Sequence, residues 1–136
     1  NVPGIAGLSA GITYLLQEGT DRILKREQQQ MQQCGKALEK LGFQVFLGEH
    51  QAGTVSFVPN MDCEEAAQVL ADGGIAVRAG LHCAPLAHES ADTLPEGTLR
   101  AGFSVFNTGR ELEKFLQTVE NLRKSPETAK NKCFCY

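Results

Sequence analysis

The sequence predicts an α+β domain: a small, mostly antiparallel sheet of four strands with helices packed on one face. Three observations predict it. Apolar residues recur at helical spacing at both ends of the chain and alternate in between. The change of period falls at glycine-rich turns. No run approaches the ~20 apolar residues of a membrane span, and 136 residues fit one domain with a real core.

Ile5, Leu8, Ile12, Leu15 and Leu16 form the first helical stripe. Gly19 closes it, and Thr20 or Asp21 can cap a second helix. That helix is polar, with "REQQQMQQ" at its centre and a narrow apolar side of Leu24, Met31, Cys34, Leu38 and Leu41. Gly42 ends it. "FQVFL" and "TVSFVP" then alternate, placing Phe43, Val45 and Leu47, and Val55 and Phe57, on single faces. With "GEHQAG" between them, and His50 in the turn, they read as two antiparallel strands. Asp62 and Glu65 can cap a third helix, which buries Ala66, Val69 and Leu70 and stops at Gly73-Gly74.

"IAVRA" reads as the third strand and "TLRAGFSVF" as the fourth. Ile75, Val77 and Ala79 share one face, as do Leu99, Ala101, Phe103 and Val105; Arg78 and Arg100 fall on the other. Thr108 and Glu111 form a capping box for a last helix with Leu112, Phe115, Leu116, Val119 and Leu122 inward. The organisation expected is residues 1–124 as a small domain, with 1–42 as linking helices and 43–124 as the α/β sandwich, followed by a polar tail over 125–136.

Composition narrows the function. A net charge of -3 without a basic cluster argues against nucleic-acid binding. Five cysteines, odd in number and irregularly spaced, argue for reduced thiols and a cytoplasmic location. No paired CxxC knuckles suggest a metal site. Cys34 and Cys63 fall on helices and read as structural, and the Cys133–Cys135 pair reads as incidental in the tail.

Chemistry concentrates in "RAGLHCAPLAHE", residues 78–89. Arginine grips carboxylates in a bidentate fork. Two arginines out of phase with the buried residues flank a loop carrying Cys83. Nearby cations and His82 favour the thiolate, the reactive form of cysteine. His82 can tune the thiol or relay a proton. Gly80 allows a sharp turn and Pro85 stiffens the exit. The arrangement suggests a site that holds a small carboxylate and presents a thiol to it. His88 reads as a polar loop residue.

"AVRAGLHCAPLAHE" followed by "GTLRAGFSVFNTGRELEKFL" resembles the carboxy-terminal part of cysteine desulfurases. These belong to the class V aminotransferase family together with selenocysteine lyases. "NVPGIAGLSAGITYL" resembles the stretch leading from that family's large domain into its small one. The resemblance implies that Cys83 is the nucleophile that takes sulfur from a cysteine-like substrate as a persulfide and releases alanine. It implies that Arg100 binds the substrate carboxylate, that Arg78 lines the same pocket and that His82 adjoins the nucleophile. Asn107 and Thr108 match a further family element, read here mainly as a helix cap.

It also implies pyridoxal phosphate, held on a lysine of a large domain that a chain this short lacks, so no cofactor is expected here and the chain alone should be inactive. A sulfur-acceptor protein and a full-length homodimer follow from the same resemblance. The opening "NVPGIAGLSAG", without an initiator methionine, fits the middle of a longer protein. Leu81, where a second histidine is common, and Pro85, directly after Ala84, depart from the family pattern. A stand-alone persulfide carrier or interaction module without cofactor chemistry stays open beside the enzyme reading.

Overall fold

A computed structural model describes residues 1–124. Helix α1 spans Val2–Glu18, started by the Asn1 side chain, which accepts from the Gly4 amide at 3.1 Å. Gly19, at φ 80°, separates it from α2, Thr20–Lys40. The capping expected of Thr20 or Asp21 is absent, because Gly19 itself takes the cap position without a side-chain bond. Strands β1 (Gln44–Phe46) and β2 (Thr54–Val58) follow, then α3 (Cys63–Asp72), capped by Asp62. A six-residue helix α4 (Pro85–Ser90), strand β3 (Leu99–Gly102) and helix α5 (Gly109–Lys124) complete the order. The reciprocal cap holds: Thr108 N–H donates to Glu111 at 2.7 Å, and Glu111 N–H to the Thr108 hydroxyl at 3.3 Å.

The sheet is antiparallel in the order β1-β2-β3, so it has three strands where the sequence suggests four. The "IAVRA" segment pairs with β3 only as an isolated bridge, Arg78 opposite Arg100, continued by one pair between Gly80 and Thr98. Both chains leave extended geometry there. Gly80 turns at φ 95° and Gly97, facing it, at φ 80°. β3 also ends earlier than the alternation suggests, and Val105 and Phe106 lie in a turn beyond it.

Helices α2, α3 and α5 cover one face. Val55, Phe57 and Leu99 meet Leu38, Leu70, Phe115 and Val119 there, all buried. Phe57 contacts Phe43 and Phe115 edge-on, at ring separations of 5.6 and 6.3 Å. Cross-strand register sets the opposite face. Phe46 pairs with Ser56, Ser56 with Arg100 and Arg100 with Arg78, so one row of side chains runs across the sheet away from the core. α1 forms as its spacing predicts but buries no residue, and Ile5, Leu8 and Leu16 stand more than half exposed.

Candidate active site

The non-core face ends in two arginines. Arg78 and Arg100 are directly paired across the bridge, each amide donating to the other's carbonyl at 3.0 and 2.7 Å. Directly opposed like charges destabilise a sheet. Neither guanidinium forms an ion pair among the described residues, where the ion pair present is Arg22–Glu18 on the outer helices. Two uncompensated cations at adjacent positions favour an anion.

Two residues beyond the Gly80–Thr98 pair, the chain reverses. The Ala84 amide donates to the Leu81 carbonyl at 2.9 Å, and the central residues of that turn are His82 and Cys83. Both are left-handed, at φ 51° and 60°. Left-handed backbone is uncommon outside glycine, and such outliers cluster at functional sites. The conformation presents Cys83 outward. Among the described cysteines it alone is exposed. Cys34 is fully buried and burial pushes its thiol up to about 12, while burial, then the negative charge of Asp62, raise that of Cys63. Neither has the environment of a nucleophile.

His82 is half-buried. Its Nε2 lies 3.2 Å from the Thr98 hydroxyl, and its buried Nδ1 has no partner among the described residues. Burial lowers its pKa first, and the charge of Arg100 second; the Thr98 contact opposes them. The neutral ring is favoured, since a proton on Nδ1 would be a buried donor without an acceptor. With Nδ1 bare, Nε2 donates to Thr98.

A cavity of about 240 Å³ opens between α4 and the arginine face. Arg100, Ser56, Phe46, His82 and His88 line it, with alanines of α4 on its apolar side. The sequence-derived residues are thus divided. His82 and Arg100 share this cavity, Cys83 stands on the adjoining turn, and Arg78 is exposed beside Arg100. Cys133 and Cys135 lie outside the described residues.

Two contributors escape the sequence reading. His88 is buried, its Nδ1 2.7 Å from the Thr93 hydroxyl. Only its helical position after Pro85 could have signalled this. Gly97 passes so close beneath the turn that a Cβ there would meet Gly80 C and O at 2.5 Å. Nothing near "PEGT" in the sequence announces that contact.

With this geometry in view, the comparisons with known proteins are decisive about kinship. The aminotransferase class-V family profile matches residues 1–115. The chain belongs to that family. Among class-V aminotransferases, a probable cysteine desulfurase of Pyrococcus abyssi is 38% identical over 130 residues, covering 92% of this chain and 32% of that protein. One of Xylella fastidiosa is 34% identical over 128 residues, covering 91% and 30%. The apo structure of the cysteine desulfurase from Thermococcus onnurineus superposes with a TM-score of 0.81 at 35% identity, over 91% of this chain and 32% of that one. The chain therefore spans about a third of the length of these relatives. No described helix is long and apolar enough to cross a membrane, and no three described His, Cys, Asp or Glu residues group as a metal site.

The family is pyridoxal phosphate-dependent. The described residues do not form a site for that cofactor. Lys25, Lys36, Lys40 and Lys114 are all exposed on helices, and none enters the cavity beside Arg100.

Proposed function

We propose that this chain is the substrate-clamping, thiol-bearing part of a cysteine desulfurase. Arg100, with Arg78 beside it, binds the substrate carboxylate; Cys83 accepts the sulfur. The net change is L-cysteine plus the Cys83 thiol giving L-alanine plus a Cys83 persulfide. An S–S bond forms, the substrate C–S bond breaks, its electron pair stays on the β-carbon, and a proton completes the methyl group. Pyridoxal phosphate supplies the delocalisation that such carbon chemistry needs. The chain spans about a third of its relatives' length, and in this reading it is inactive alone and works with a cofactor-binding large domain. The exposed stripe of α1 is apolar surface for such a neighbour. A sulfur-acceptor protein, a homodimeric assembly and a cytoplasmic location complete the reading.

The observation that carries it is the one exposed described cysteine, on a strained turn whose other central residue, His82, lines a cavity with Arg100. Both arginines act electrostatically on His82, the residue before Cys83. Mass-resolved alkylation tests this on the chain itself. The thiolate attacks both iodoacetate and iodoacetamide and displaces iodide, so their rate ratio reports the charge environment and not the thiolate fraction. Relative to glutathione, Cys83 should favour iodoacetate about fivefold, the equivalent of about 1 kcal/mol of attraction, and Arg100→Gln should remove most of that preference. A ratio equal to that of glutathione overturns the carboxylate clamp. Added pyridoxal phosphate should produce no turnover of cysteine; turnover by the chain alone overturns the division of labour.

A further inference from the structure

The turn bearing Cys83 is not stable on its own terms. Two consecutive left-handed residues other than glycine cost of order 1–3 kcal/mol each, against about 0.5–1.5 kcal/mol from the one hydrogen bond that closes the turn. Its conformation must be imposed from both ends. Upstream, the Gly80–Thr98 pair fixes the chain, with amide–carbonyl bonds of 3.1 and 3.2 Å. Downstream the chain enters α4 directly, and the Ala84 carbonyl accepts from the Ala87 and His88 amides at 3.1 and 3.2 Å.

A helix of six residues has no stability of its own in water. α4 is also nearly bare. Leu86 is 75% exposed, and His88 is the one residue of the helix that is buried, at 7%. The mooring of His88 is correspondingly complete. The Thr93 amide donates to the His88 carbonyl at 2.9 Å, and the Thr93 hydroxyl donates to the same carbonyl at 3.3 Å. With the hydroxyl's single hydrogen on that carbonyl, the contact at 2.7 Å is made by the His88 tautomer whose Nδ1–H donates to Thr93 Oγ1. The His88 ring stands 5.9 Å from that of His82, tilted by 45°.

We propose that His88 is a positioning residue for Cys83: through its bond to Thr93 it moors α4 and so holds the strained turn that presents the thiol. The proposal takes its importance from the reading of Cys83 as the sulfur acceptor. It is tested without any reagent or reaction, so its failure is separable from failure of that reading, which alkylation decides.

The test is amide hydrogen exchange, residue by residue, on the 136-residue chain. The reporter is the Ala84 amide, which closes the turn; the reference is the β2–β3 ladder around Phe57 and Leu99. His88→Phe keeps a buried ring and removes the donor. Thr93→Val keeps the shape of the threonine and removes the acceptor. In both, Ala84 should exchange about tenfold faster while the ladder stays within twofold of the parent. His88→Asn, which keeps an N–H near the Nδ1 position, should recover most of the protection. Unchanged Ala84 exchange in either donor or acceptor variant overturns the proposal. So does equal acceleration of turn and ladder, which would make His88 an ordinary core residue, or an Asn variant as fast as the Phe variant.

Discussion

The two faces of the sheet are made by the same strands and obey opposite rules. On one, Val55, Phe57 and Leu99 interlock with three helices and are wholly buried. On the other, Phe46, Ser56, Arg100 and Arg78 form a row in which two cations oppose each other and a cavity separates the sheet from α4. The first face lowers the free energy of the fold. The second carries repulsion, an unpaired ring nitrogen and two left-handed residues at its end. Departures from local preference at several adjacent points are the kind that cluster at functional sites, which is why the proposed function is placed on this surface. The difference also explains the behaviour of cysteine. Cys34 is packed into the core that covers the first face, where burial raises its thiol pKa, and Cys83 stands exposed on the turn beyond the second.

The comparison breaks most severely on the core face. Phe57→Ala empties a site that Phe43, Phe115 and three helices surround, and should cost about 3–5 kcal/mol in urea unfolding. A loss below about 1 kcal/mol would mean that the helices do not depend on this face. The next largest effect sits at the junction of the two faces. Gly97→Ala adds a methyl group to a left-handed residue and drives it into the Gly80 backbone. Neither neighbour is a flexible side-chain end, so the Gly80–Thr98 pair must part. We expect about 2 kcal/mol of destabilisation, together with faster exchange at the Gly80 amide than in the β1–β2 ladder. Equal exchange increases at both would show that Gly97 serves the fold at large and not the turn.

These two residues also mark what the sequence could and could not tell. Phe57 was legible because a buried strand face repeats every second residue, and the same rule put Arg78 and Arg100 on the opposite side. The α5 capping box and stripe were legible for the same reason of local spacing. The fate of "IAVRA", expected as the third strand, was not. Its alternation is real, but pairing stops where Gly80 and Gly97 bend against each other, a contact between residues 17 positions apart. His88 was missed because burial of a histidine depends on the hydroxyl it meets, and Thr93 lies beyond the end of α4, five residues on. α1 shows the converse: its periodicity correctly gave a helix and correctly gave an apolar stripe, yet spacing cannot say what covers the stripe.

The smallest effect expected is a dependence of stability on pH that belongs to the site face alone. Folding lowers the pKa of His82 below its ordinary value of 6.5, through burial first and Arg100 second. The unfolded chain therefore takes up this proton more readily than the folded one. Stability from the neutral ring is fully present above about pH 6.5, where neither state is protonated, and is lost as the pH falls from there through the lowered folded-state value. Glu111 is shifted in the same sense by its bonds to Thr108, but it titrates below its ordinary 4.5 and so outside this window. Urea midpoints at about pH 7.5 and about pH 5.5 should accordingly differ, with the chain weaker at the lower pH. His82→Asn removes the titration while tolerating left-handed backbone, and should flatten the difference. If that variant keeps the full slope, the acid sensitivity lies elsewhere and His82 is not held neutral by the site.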